Sequence, residues 1–108
     1  MWTSEHSNSV LQAKLGEILV RHLDLPDALV TISFVDCTSD WQEVKIGVSV
    51  LPESHSGSAL SALRRLNKVI SDILRKEYHK SHAPRLQWLI DDSEKEARKM
   101  DIIIDNLD

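Results

Sequence analysis

Seven basic side chains fall within residues 58–85 of this 108-residue chain: Arg64, Arg65, Lys68, Arg75, Lys76, Lys80 and Arg85. The chemistry open to such a set is pairing with phosphate, because Lys and Arg neutralise phosphates and release their counterions. Only Asp72 and Glu77 oppose them in that stretch, a local balance of 7 − 2 = +5. The whole chain carries −4, which taken alone argues against nucleic acid. The flanks account for the difference. Residues 1–57 hold three Lys/Arg against eight Asp/Glu, and residues 86–108 hold three against seven. A basic centre therefore lies between two acidic ends. The plain alternative for these cations is a solvated helix face with no partner.

Other chemistries find less support. His79 and His82, with Cys37, could be drawn as metal ligands, but no second close pair completes a set, and no metal is expected. Asp91 and Asp92 are adjacent and would diverge on a strand, a poor acid–base pair. Asp36 and Asp40 lie where aspartate commonly forms turns. The three glycines, Gly16, Gly47 and Gly57, are scattered, so there is no phosphate-binding glycine loop. No spacing of Ser and His marks a triad. No catalytic residue, no cofactor and no enzymatic activity are expected.

Composition bounds the class. One domain is expected across residues 1–108, with 42% apolar and 28% charged residues, as in globular proteins. Cys37 is the one cysteine, which excludes an internal disulfide and suits a reducing cytosol. No run of eighteen apolar residues is present, and the opening MWTSEHSNSV lacks a basic flank and an apolar stretch. A cytoplasmic protein without a membrane partner is the expectation, with residues 1–8 flexible.

The elements that must position the cations can be read from periodicity. Ser7, Asn8 and Ser9 offer helix caps, and Val10, Leu11, Leu15, Ile18, Leu19 and Leu23 then recur at helical spacing up to Pro26. Leu29–Val35 alternates, with Val30, Ile32 and Phe34 on one side. Val44, Ile46, Val48 and Val50 alternate in a second run, so the two predict an antiparallel hairpin with one buried face. Residues 52–57 read as a loop. From Ser58 to about Lys80 the period is helical again. Leu63, Leu66, Val69, Ile70, Ile73, Leu74 and Tyr78 form the apolar arc, while Arg64, Arg65, Lys68, Arg75 and Lys76 share about 120° of the opposite side. Pro84 then forces Ala83 out of helical geometry. Leu86, Trp88 and Ile90 face one way along a third strand, with Gln87 and Leu89 facing the other. Ser93 and Glu96 suggest a capping box opening a C-terminal helical tail over residues 92–108, with Met100, Ile103, Ile104 and Leu107 on its apolar side. The order predicts an α+β fold, one sheet covered by helices.

Four stretches together resemble the ribosome-binding factor A family. They are the hairpin segment TSDWQEVKIGVSV (38–50), the amphipathic segment Leu60 to Tyr78, the strand segment PRLQWLIDDS (84–93), and Glu96 to Ile104. The strand segment, with its proline, leucine, aromatic, aspartate and serine, is the most specific, and the resemblance runs from about residue 10 to residue 107. It implies a KH type II-like order, α-β-β-α-α-β, with a three-stranded sheet covered by helices on one face and a kink dividing the long helix. It also implies a monomeric, non-enzymatic bacterial factor that binds the small ribosomal subunit and its rRNA during maturation, with ribosomal proteins as further contacts. RNA-binding residues are then expected at Arg64, Arg65, Asn67, Lys68, Arg75, Lys76, Lys80 and Arg85. The chain departs from the family pattern in two places. Residues 4–9, SEHSNS, hold an acid where the family has basic residues, and Leu66-Asn67-Lys68 stands where the family has an alanine-any-glycine step. These departures suit an alternative, a KH-like protein-interaction module that has lost RNA binding. The aromatic supply for base stacking is thin, so contact through shape and backbone is expected.

Overall fold

The computed structural model describes residues 5–91. Helix α1 (Glu5–His22) leads into strands β1 (Leu29–Cys37) and β2 (Glu43–Leu51). A short 3₁₀ turn (Glu53–His55) opens helix α2 (Ser56–Arg65), which is followed by α3 (Asn67–Glu77) and β3 (Arg85–Ile90). The strands lie in the order β1-β2-β3, with β2 antiparallel to β1 and parallel to β3. The expected α-β-β-α-α-β order and mixed α+β architecture are thus present.

The core follows from alternation on the central strand. Val44, Ile46, Val48 and Val50 are all buried, facing one side. Leu86 and Trp88 of β3 extend that layer, and Leu11, Leu15, Ile18 and Leu19 of α1 cover it together with Ala59, Leu63, Ile70 and Leu74 of α2 and α3. Each fully buried aliphatic side chain contributes about 1.5–3 kcal/mol of transfer free energy, so this single cluster is the main source of stability.

Polar bonds fix α3 against the sheet. The Trp88 indole Nε1–H donates to Asn67 Oδ1 at 2.6 Å, and the buried Ser71 hydroxyl donates to the Pro84 carbonyl at 2.9 Å. Leu66 separates α2 from α3, and its φ of −87° and ψ of −4° turn the chain without a glycine. The expected kink therefore falls at Leu66–Asn67. At its other end α3 closes on a Schellman motif: Lys80 N–H bonds the Arg75 carbonyl at 2.9 Å and His79 N–H the Lys76 carbonyl at 3.4 Å. His79 takes the left-handed conformation there, with φ 54°, where glycine is more usual.

Four expectations are corrected. The helix begins at Glu5, so Ser7, Asn8 and Ser9 lie inside it instead of capping it. Residues 52–57 are not a plain loop, because the 3₁₀ turn and the start of α2 occupy them. Val69 is 42% exposed and does not join the core, since the kink rotates the start of α3 relative to a continuous helix. Phe34 leaves the face of Val30 and Ile32. The pairing with β2 slips between Ile32 and Phe34, which inserts Ser33 as an extra residue and reverses the side-chain phase. Val35 and Cys37 become the buried residues, and the Phe34 ring lies on the open side of the sheet, directly over Gly47. Of the stretch 1–8 expected to be flexible, residues 5–8 belong to α1. Residues 1–4 and the expected C-terminal helical tail, 92–108, lie outside the described residues.

Two stability outcomes are expected from these contacts. Asn67→Ala removes the acceptor of a half-buried indole N–H and is expected to cost about 1–3 kcal/mol in urea denaturation, whereas its exposed neighbour Lys68→Ala stays within about 0.5 kcal/mol. Gly47→Ala places a methyl group inside the Phe34 ring and is expected to cost about 1–2 kcal/mol, a loss that largely disappears in a Phe34→Ala background.

Candidate nucleic-acid interface on the paired helices

The outer side of α2 and α3 is built by the same periodicity that builds the core. Burying Leu63, Ile70 and Leu74 on one side leaves Arg64, Arg65, Lys68 and Lys76 exposed on the other, with Arg75 half-buried. Along α3, Lys68, Asp72, Arg75 and Lys76 follow the i, i+4, i+7, i+8 spacing of one helix face. Lys68 and Arg75 are thereby separated by about 10 Å along the axis. Arg64 and Arg65 end α2, one turn before Lys68.

Most of these cations sit at helix ends that suit their charge. Arg64 and Arg65 lie in the last turn of α2, and Arg75 and Lys76 in the last turn of α3, where cations complement the negative end of the helix dipole. Lys68 is the exception: it occupies the first turn of α3, which holds no acid. Among the described residues, no carboxylate forms an ion pair with Arg64, Arg65, Lys68, Arg75 or Lys76. The ion pairs that do form lie elsewhere. Lys14 bridges Glu77 at 3.3 Å, joining α1 to the end of α3, and reaches Glu17 at 3.9 Å.

The remaining expected site residues are placed differently. Asn67 sits at the kink, but its side-chain oxygen is held by Trp88. Lys80 follows α3 and lays its ammonium over the Trp41 ring, 4.8 Å from the centroid. That contact lies at the end of α3 remote from the kink. Arg85 belongs to the outward set of β3 with Gln87 and Leu89, on the side of the sheet away from the helices, and its guanidinium is 3.7 Å from Glu43. The eight residues therefore divide into a five-cation face, a structural asparagine, a lysine on an aromatic, and an arginine on the opposite side of the sheet.

The Trp41 cluster is a packing unit. Asp40 Oδ1 accepts from the Thr38 hydroxyl at 2.8 Å and from the Gln42 N–H at 3.2 Å. The Thr38 hydroxyl, and next the Gln42 amide, hold the Asp40 carboxyl below the usual carboxylate range. This turn lets Trp41 adopt φ 61° and set its ring edge-on to Tyr78, with centroids 4.7 Å apart. Burial raises the Tyr78 phenol above its ordinary value. Trp41 and Tyr78 pack against the core as partly buried side chains, and Trp88 is buried. No described aromatic ring is thus presented on the basic face.

Nothing in these surroundings assembles reactive groups. A groove of about 390 Å³ between α1 and the free edge of β1 is lined by Gly16, Leu19, Val20, Leu23, Val30 and Ile32 among others, with no charged side chain. The polar hollow at the hairpin loop contains Asp40, Glu43 and Arg85, already engaged as above. Among the described residues, no three His, Cys, Asp or Glu side chains group as for a metal ion. No described helix is long and apolar enough to cross a membrane.

Comparison with known proteins places this geometry. The chain is 24% identical over 101 residues to a ribosome-binding factor A of Akkermansia muciniphila, covering 94% of this chain and 81% of that protein. It is 27% identical over 100 residues to a ribosome-binding factor A of Bdellovibrio bacteriovorus, covering 91% and 75%. The fold superposes on the crystal structure of ribosome-binding factor A from Thermus thermophilus with a TM-score of 0.69 at 24% identity, over 82% of this chain and 96% of that one. The family model for Ribosome-binding factor A matches residues 3–104, nearly the whole chain, and this protein therefore belongs to the ribosome-binding factor A family.

Proposed function

We propose that this protein binds the small ribosomal subunit while its rRNA is being processed and assembled, as a monomeric, non-catalytic factor in the bacterial cytoplasm. The outer face of α2 and α3 meets rRNA phosphates. The observation that carries this reading is the set of five cations, Arg64, Arg65, Lys68, Arg75 and Lys76, turned away from the core without a described carboxylate partner. Family membership supplies the ribosome as partner. With no described ring on this face, recognition proceeds through phosphate positions and RNA shape more than through base stacking. Lys80 and Arg85 contribute less, because Trp41 and Glu43 already engage them.

One observation favours the alternative of a protein-interaction module. The kink is made by Leu66 and an asparagine whose side chain is committed to the core, so it lacks the small residues that admit close backbone approach. Under that alternative, ribosomal proteins are the partners, and capture of the subunit survives nuclease treatment.

Pairing four or five phosphates makes the affinity fall roughly tenfold for each doubling of salt. Charge reversal at Arg64, Lys68 and Arg75 to Glu is expected to remove the protein from free small subunits in sucrose gradients while leaving its thermal unfolding midpoint nearly unchanged. Unaltered cosedimentation of that variant would reject the basic face as the docking surface.

A further inference from the structure

The outer edge of β1 is open, and α1 leaves a trough beside it. In the order β1-β2-β3, no strand among the described residues pairs with the far side of β1. The Ile32 carbonyl is turned that way, because it accepts from the Gln12 side-chain amide of α1 at 3.1 Å. Antiparallel pairing alternates, so Val30 presents its N–H and C=O on the same outer row. Between this row and α1 lies the groove of about 390 Å³, lined by Gly16, Leu19, Leu23, Val30 and Ile32 among others. Val20, also at the groove, is 85% exposed.

Two features define what fits there. Gly16 lies in the interior of α1, where glycine weakens a helix relative to alanine. A methyl group at that position would meet nothing within 4 Å, so no contact inside the described chain requires the glycine. Its absent side chain instead deepens the groove. The charge around the groove is also one-sided. Asp24 and Asp27, both exposed, flank the lining residues Leu25 and Ala28 where α1 gives way to β1, and neither meets a cation among the described residues. The cations of α1 point elsewhere. At 3.6 residues per turn, Lys14 and Arg21 stand about 150–180° around the helix from the residues that line the groove. Lys14 is in addition committed to Glu77.

We propose that the β1 edge and its groove receive an extended, basic segment of a partner protein, added to the three-stranded sheet as a further strand. Its main chain bonds the outer row of β1, alternate apolar side chains enter the groove over Gly16, and neighbouring Lys or Arg meet Asp24 and Asp27. A second copy of this chain fits less well. Antiparallel pairing of two β1 edges would set Asp24 and Asp27 of each copy against the hairpin end of the other, which carries Asp36 and Asp40. Phosphate is repelled by the same acids. The site is therefore distinct from the cationic side of α2 and α3, and the inference does not rest on that side contacting RNA.

The test titrates the full chain with a synthetic peptide of about eight residues that alternates valine with lysine, beside one that alternates valine with glutamate. Backbone amide shifts locate the contact. The lysine peptide is expected to move the amides of Gly16, Val20, Val30 and Ile32, and to bind about tenfold tighter than the glutamate peptide at about 50 mM salt. Gly16→Leu fills the groove and is expected to weaken it about tenfold, while Gly16→Ala stays within about twofold of the native chain. Asp24→Asn with Asp27→Asn, which leaves the groove intact, is expected to bind the lysine peptide about three- to tenfold more weakly at low salt, and it decides the matter where Gly16→Leu fails to fold. Shifts confined to other surfaces, equal binding of the two peptides, no binding up to about 1 mM, or indifference to the groove and acid variants overturns the proposal. So does a native dimer in sedimentation equilibrium that Gly16→Leu dissociates, since a second copy would then be the occupant.

Discussion

A buried indole needs an acceptor, and in this protein the acceptor sits at the kink. Trp88 brings its ring into the core from β3, where leaving its N–H unpaired would cost about 1–3 kcal/mol. Asn67 meets that demand from the first residue of α3. The bond fixes where α2 stops, where α3 starts and how α3 lies across the sheet. Ser71 repeats the arrangement one turn on, with the Pro84 carbonyl. Once α3 is held in that register, Ile70 and Leu74 must face inward, and Lys68, Arg75 and Lys76 have no option but the outer side.

Charge is segregated around that framework. Several carboxylates are spent on structure: Glu77 ties Lys14 of α1 to the end of α3, Glu43 meets Arg85, and Asp40 closes the hairpin turn. The outer helical face is left with five cations around Asp72. Its aromatic neighbours are consumed as well, since Trp41 meets Tyr78 edge-on under Lys80 and Phe34 lies over Gly47 on the far side of the sheet. A surface with charge and no free ring suits phosphate geometry and little else.

The sequence made much of this legible, because the informative patterns are periodic. Alternation in Val44–Val50 and Leu86–Ile90 revealed two strands and their buried sides, and helical spacing revealed the opposed arcs of residues 63–78. What was not legible depended on contacts between distant residues. Nothing local marks Ser33 as an extra residue in β1; the bulge is decided by where Phe34 fits, and only Gly47, across the strand pair, makes room for the ring. Asn67 read as a site residue because its partner Trp88 lies 21 positions away. Arg85 was grouped with the other cations by proximity in sequence, yet strand parity sends it to the opposite side of the sheet. The kink itself came from the family resemblance, since the residues at 66–68 do not break a helix on their own.

The most direct measurement is directed cleavage of rRNA by an iron chelate tethered at a single cysteine. Cys37 is buried and stays silent. A Ser61→Cys probe stands on the exposed side of α2 in line with the cations, and a Gln87→Cys probe stands on the open side of the sheet. Cleavage of small-subunit rRNA from position 61 and none from position 87 is the predicted result. Strong cleavage from 87 with silence at 61 would contradict the account.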